Sequence, residues 1–256
     1  MPAKPTTLAL TAALAALLLA APAARAEAPP VGEPGADRAE RFAVHAPSRR
    51  RGAAVARVVA PAFARARLKQ RRRGWPVSPQ TAWSGQPQQL LVLDATTRKG
   101  RDWVKLLLPQ RPNGSAGWVP RDRVVLARTP YWVVVRTAVR QVTVYRKGKR
   151  VRRFGAVVGA PSTPTPRGLA AIYERNRQPN PGGFIGPWAL PLTAHSNVLL
   201  NFGGGPGRVG IHGRAGASLG DPLGSARSHG CIRIDNHHVA WMAANLPAGT
   251  PVRLRA

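Results

Sequence analysis

The chain has a single cysteine, Cys231, among 256 residues. That scarcity excludes an internal disulfide framework, and it leaves none of the paired close Cys spacings that structural zinc sites use. Acidic residues are also scarce: ten Asp and Glu stand against 39 Lys and Arg. No heptad pattern and no internal repeat occurs, so coiled-coil and solenoid architectures are excluded. Beyond the run Leu8–Ala21, no segment is apolar enough to span a bilayer, which takes about 20 residues. The glycines of FGGGPGRVGIHG match neither dinucleotide nor P-loop spacing, and that stretch reads as a loop feeding a short strand, Val209–His212.

What is present begins with the leader. Residues 1–26 carry Lys4 near the start, the apolar run, and Ala24-Arg25-Ala26 as a small-x-small cleavage site, the layout of a secretory signal peptide. The mature chain is therefore expected outside the cytoplasm, in the cell wall or periplasm. Leaving out Lys4 and Arg25 takes the formal charge from +29 to +27. For an exported chain such charge points to anionic wall polymers or lipid head groups rather than to nucleic acid. In an oxidising compartment a lone thiol invites mixed disulfides. It is either a buried, inert side chain or one whose reactivity is used.

Residues 27–50 are rich in Pro, Ala and charge with no sustained period, and read as a tether. RARLKQRRRG at 65–74 is a basic run, either a solvated loop or a binding patch. Strand-like runs follow at 88–95, 102–109 and 117–127, separated by turn formers that include Asn113-Gly114. Three such strands in about forty residues predict a small barrel over 51–128. A second β region, 129–256, opens with YWVVVR and with QVTVYRKGKRVRRF, in which RKGKR turns a hairpin. The Pro- and Gly-rich stretch from 161 to 192 predicts no long regular element. One helix is expected, capped by Asp235 or Asn236, with Val239, Met242, Ala243 and Leu246 on one face. The fold class is mainly β, in two domains.

Nucleophilic catalysis by a thiol needs a nearby base, a group that orients the base, and amide N–H groups for the oxyanion. His212 closes a strand, and Ser228-His229-Gly230-Cys231 follows a Gly-rich loop. Gly230 lets the backbone turn tightly at the sulfur. The helix that starts four residues later presents its positive end and favours the thiolate.

These residues resemble the L,D-transpeptidase catalytic domain, the cysteine transpeptidase family that makes 3-3 crosslinks in bacterial peptidoglycan. The family pattern is a His, 14–17 residues, Ser/Thr-His-Gly-Cys, an apolar residue, then Asn or Arg. Here His212 is followed by residues 213–227, SHGC, Ile232 and Arg233. VVGAPSTPTPRG and GPWALPL look like further family segments, and the resemblance covers about 131–256. WVKLLLPQRPNGSAGWVPRDRV is similar to bacterial SH3-like domains.

The resemblance implies a β-sandwich-like catalytic domain with one helix after the cysteine, preceded by a small SH3-like β-barrel. Cys231 would be the nucleophile and His212 the base, oriented by the carbonyl of Gly213. The amides of Gly230 and Cys231 would form the oxyanion hole, with Ser228 and His229 in support. Arg233 would engage a stem-peptide carboxylate or fix the loop. The expected partners are a donor tetrapeptide stem and an acceptor amine, with no metal or organic cofactor, in a monomer. Three alternatives stand beside this: a carboxypeptidase in which water resolves the thioester, a non-catalytic wall-binding protein, and a metal site of His212, His229, Cys231 and His237.

Overall fold

The computed structural model of the chain describes residues 44–256, so the 1–26 leader and most of the 27–50 segment lie outside the described residues. The first seven strands are β1 (Ala53–Val58), β2 (Ala62–Arg65), β3 (Gly74–Val77), β4 (Gln89–Arg98), β5 (Arg101–Leu107), β6 (Ala116–Pro120) and β7 (Val124–Thr129). They form one antiparallel sheet in the order β3-β2-β6-β5-β4-β1-β7. The β4–β5 hairpin turns on Lys99 and Gly100, both at positive φ, the geometry that two-residue loops need to match strand twist. The strand expected over 117–127 is two strands. Pro120 ends β6, the 3-10 turn Arg121–Arg123 intervenes, and Val124 begins β7. Three strands, β1 to β3, were not predicted, because AAVARV and AFAR are too rich in Ala to show a strand period.

Eleven more strands and one helix follow Pro130. They are β8 (Tyr131–Arg136), β9 (Gln141–Arg146), β10 (Lys149–Gly155), β11 (Val158–Gly159), β12 (Gly168–Ala171), β13 (Asn176–Arg177), β14 (Trp188–His195), β15 (Arg208–His212), β16 (Ala226–Ser228), β17 (Ile232–Arg233), α1 (Asn236–Asn245) and β18 (Pro251–Arg255). A five-stranded sheet runs β10-β9-β8-β18-β12, a four-stranded sheet β13-β14-β15-β17, and β11 pairs with β16. The RKGKR turn is a two-residue loop, Lys147-Gly148, as read from the sequence. Asp235 caps α1 by accepting from the amide of His237, and Val239, Met242 and Ala243 are buried beneath it. The chain is mainly β with one α-helix.

The eight-residue β14 runs through Pro191, where no long element was expected. Pro191 lies at a register break and lends only its carbonyl, which accepts from the amide of Tyr173, so its missing N–H costs nothing. One apolar core fills the space between the five- and four-stranded sheets and α1, centred on Val133, Ile172, Leu190, Ile211, Ile232 and Met242. Burying each of these side chains is worth about 1.5–3 kcal/mol. The amino-terminal sheet packs against this part through Ala53, Leu91, Leu107 and Ala171, while Tyr173 enters the amino-terminal core. The described residues thus belong to one compact unit. Among the described residues no helix is long and apolar enough to cross a membrane.

Candidate functional site

Strand alternation builds the site. In β14, β15 and β17 the residues Leu190, Leu192, Ile211 and Ile232 face the core. The alternate residues therefore face the other way. Register places Ile211 beside Ile232 and His212 beside Arg233, so Cys231 falls beside Gly210, while Ala189 and Pro191 pair with His212 and Gly210. Of these, Ala189, Pro191, Gly210, His212, Cys231 and Arg233 line one cavity of about 220 Å³. Phe184, Ile185, Phe202, His229, Arg208 and Val209 complete it, together with Trp83 from the β3–β4 turn of the amino-terminal part.

His212 is buried, and its Nδ1 lies 2.8 Å from the carbonyl oxygen of Gly213. A carbonyl only accepts, so Nδ1 carries the proton and Nε2 is the basic nitrogen. Gly213 has no room for a side chain, since a Cβ would strike Asn236 Oδ1 and crowd Pro187. Asn236, the first residue of α1, accepts from the amide of Arg214 at 2.8 Å and donates to its carbonyl at 2.9 Å. The helix start thereby fixes the chain that carries the Gly213 carbonyl.

The Cys231 turn is tied from two directions. Ser228 is buried; its hydroxyl donates to the Cys231 carbonyl at 2.6 Å and accepts from the Gly230 amide at 3.1 Å. Thr163 donates to the Ser228 carbonyl at 3.0 Å and Thr165 to the Gly230 carbonyl at 2.9 Å. Gly230 sits at φ +112°, a conformation that favours glycine. Its amide is engaged by Ser228, so Ser228 competes with any oxyanion for that donor. His229 is exposed and tilts against the ring of Phe202 at 5.3 Å.

Arg233 is buried and already committed. Its Nη1 pairs with Asp221 Oδ2, and Phe184 lies over the guanidinium at 4.7 Å. Its Nε is buried without a partner. The carbonyl and amide of Arg233 both bond to Val157, so the strand beneath it is fixed as well.

Burial dominates the electrostatics. It pushes the Cys231 thiol up, against a backbone hydrogen bond from Gly210 and the charge of Arg233. It lowers His212 to about 4, against the Gly213 and Ile185 carbonyls and assisted by Arg233. At neutral pH the site therefore holds a neutral thiol and a neutral imidazole, where the sequence reading expected the helix to favour a thiolate. His195 is also buried and lowered to about 4, by burial and then by the charges of Arg208 and Arg111. It does not line the cavity; its amide and carbonyl both bond to Asn113.

These two histidines set an expected acid lability. A base whose folded pKa lies below its unfolded value near 6.5 binds protons more tightly when unfolded. Stability is thus retained above about 6.5 and lost as pH falls toward 4, on the order of 3 kcal/mol for each histidine. The melting temperature should fall steeply from pH 6.5 to 4, and less steeply for His195→Gln. A melting temperature indifferent to pH in that window would contradict the burial of neutral rings.

The structure brings together His212, Gly213, Ser228, His229, Gly230, Cys231 and Arg233. Among the described residues no cluster of three or more His, Cys, Asp or Glu is placed to hold a metal ion. His237 instead pairs with Asp235 at 2.6 Å. Sequence reasoning missed Thr163, Thr165, Asp221, Asn236, Phe202 and Trp83. For the two threonines the PSTPTPRG turn was a signal, whereas Trp83 gave none.

The model of the YkuD family, the L,D-transpeptidase catalytic domain, matches residues 130–254. The YkuD protein of Bacillus licheniformis is 35% identical over 170 residues, which cover 64% of this chain and 93% of that protein. The YkuD protein of Bacillus subtilis is 29% identical over 154 residues, 58% of this chain and 84% of that protein. Among solved structures, an L,D-transpeptidase from Mycobacterium tuberculosis H37Rv aligns with a TM-score of 0.42 at 14% identity, over 78% of this chain and 95% of that one.

Proposed function

This chain belongs to the YkuD family of L,D-transpeptidase catalytic domains, and from that premise we propose that it is an exported enzyme forming 3-3 crosslinks in peptidoglycan through a thioester on Cys231. The observation that carries this reading is the shared face: Cys231 and His212 line one cavity, with His212 Nδ1 held by Gly213. In the first half-reaction His212 Nε2 takes the thiol proton as sulfur attacks the carbonyl of the third residue of a tetrapeptide stem. The C–S bond forms, the C–N bond breaks, and His212 returns the proton to the departing D-Ala amine. The Cys231 amide flanks the developing oxyanion, and the Gly230 amide joins it when Ser228 releases it. In the second half-reaction the side-chain amine of another stem attacks the thioester, His212 takes the amine's proton, and the sulfur leaves with it. A neutral resting pair suits this order, since the proton moves with the attack. The test is the mass of products after incubation with purified tetrapeptide muropeptides. Dimers with loss of D-Ala support the reading; tripeptides alone mean a carboxypeptidase, and unchanged substrate means a non-catalytic binding protein.

We also infer that the amino-terminal sheet holds anionic wall polymer. A cavity of about 570 Å³ there is lined by six Arg and Lys side chains, among them Arg65, Lys69 and Arg71, with no acidic residue. Arg65 and Arg101 both lie over the ring of Trp103, at 4.7 and 5.3 Å, so two charges are held on one platform. Pelleting with wall should weaken steeply with salt, as the Debye length shrinks from about 10 Å at 0.1 M to about 3 Å at 1 M. Replacing the Arg and Lys residues of 65–73 by Gln should lower pelleting at low salt and leave acylation of Cys231 unchanged. Unaltered pelleting would make this run a solvated loop.

A further inference from the structure

Arg208 lies on the cavity-facing side of β15 and has no ion-pair partner within 4.0 Å among the described residues. Its Nη1 donates to the Leu192 carbonyl at 3.0 Å and its Nη2 to the Pro109 carbonyl at 3.1 Å. Those bonds fix the guanidinium without neutralising it and leave three of its five N–H donors unspent. Tyr173 lies over it at 4.8 Å and Trp83 at 5.7 Å. Glu174 and Tyr173 act on it through space, yet burial outweighs them and pushes the guanidinium down from its ordinary value. A desolvated cation without a contacting anion, in the wall of an open cleft, is a site for an anion.

Trp83 comes from the turn between β3 and β4 of the amino-terminal part. It is 58% exposed and lines the same cavity as Cys231. A Cβ on Gly205 would come within 3.3 Å of its ring, so the absence of a side chain there lets the 201–207 loop approach the indole. The 196–207 segment that contains this loop is held by the amino-terminal part as well. Arg111 donates to the carbonyls of Ser196 at 2.6 Å, Leu199 at 3.2 Å and Pro206 at 3.0 Å.

We propose that the β3–β4 turn of the amino-terminal part completes the substrate cleft, with Trp83 and Arg208 forming a subsite for a carboxylate of the peptide stem. The placement suits an extended peptide. Arg208 precedes Gly210, the neighbour of Cys231, by two residues of strand, roughly 7 Å at about 3.3 Å per residue. A stem carbonyl at the sulfur therefore sets a carboxylate one or two residues away within reach of the guanidinium, with the peptide backbone against the indole. The subsite rests on the transpeptidase reading for the identity of the peptide, and its test does not use turnover.

The experiment measures equilibrium binding of a tetrapeptide stem, with free carboxylates and with all of them amidated, to full-length Cys231→Ala, which forms no thioester. The acid form should bind at least about tenfold more tightly than the amidated form, the usual worth of a charge-assisted hydrogen bond. Adding Arg208→Gln should remove that preference. Adding Trp83→Ala should weaken both forms several-fold and keep the preference. Trp83 is exposed, so its variant tests the subsite even if Arg208→Gln fails to fold. Equal binding of the two forms to Cys231→Ala, or affinities unmoved by Trp83→Ala, would overturn the subsite. A parent enzyme that makes no muropeptide product would overturn the transpeptidase reading and leave these binding results standing.

Discussion

Cys231→Ala is expected to abolish acylation by a carbapenem or a stem peptide while leaving the melting temperature close to the parent's. The loss is complete because no other cysteine exists to take over. The fold should survive because the Cys231 turn is held through main-chain atoms. Ser228 bonds to the Cys231 carbonyl, Thr165 to the Gly230 carbonyl and Thr163 to the Ser228 carbonyl, none of which involves the sulfur. Intact mass after incubation with a carbapenem checks this directly. A stoichiometric adduct on the alanine variant would remove Cys231 from its role.

The second large effect belongs to His212. Removing the base should slow acylation by at least about a hundredfold at neutral pH, the lower range for losing general acid–base catalysis. Because burial holds His212 to about 4, the parent should show no inflection near the ordinary histidine value of 6.5, and its acid limb should lie near 4. His212→Ala can react only through the small thiolate fraction, which burial keeps low. Its rate should therefore climb about tenfold per pH unit below the thiol pKa, and the gap to the parent should close as pH rises. His212→Gln fills the space of the ring and separates loss of the base from loss of packing. Equal rates in parent and variants would give the role to His229 or to no histidine.

The chemistry of the site was legible where it is local. SHGC, the strand ending at His212 and the Asp235-capped helix each announce themselves within a few residues, through turn geometry, apolar period or capping. Hairpins with Lys-Gly at the turn were equally plain. What escaped the sequence depends on contacts between distant segments. Nothing near Trp83 marks it as a wall of a cavity that holds Cys231, and nothing near Arg233 names Asp221 as its partner. The strand β14 was obscured by Pro191, whose tolerance comes from a register break visible only once β15 is paired with it. The thiol's charge state was misjudged for a similar reason. Proximity to a helix start is read from sequence, whereas desolvation is set by everything packed around the sulfur.

The central claim is that Cys231 carries the stem as a thioester, and the most direct measurement traps it. Full-length enzyme is mixed with a tetrapeptide stem in the absence of an acceptor amine, quenched in acid, digested and weighed. The account predicts that the peptide containing Cys231 gains the mass of the tripeptide acyl group, that free D-Ala appears in equal amount, and that hydroxylamine removes the adduct. D-Ala release with the adduct on another residue, or with no covalent intermediate at any time point, would contradict it.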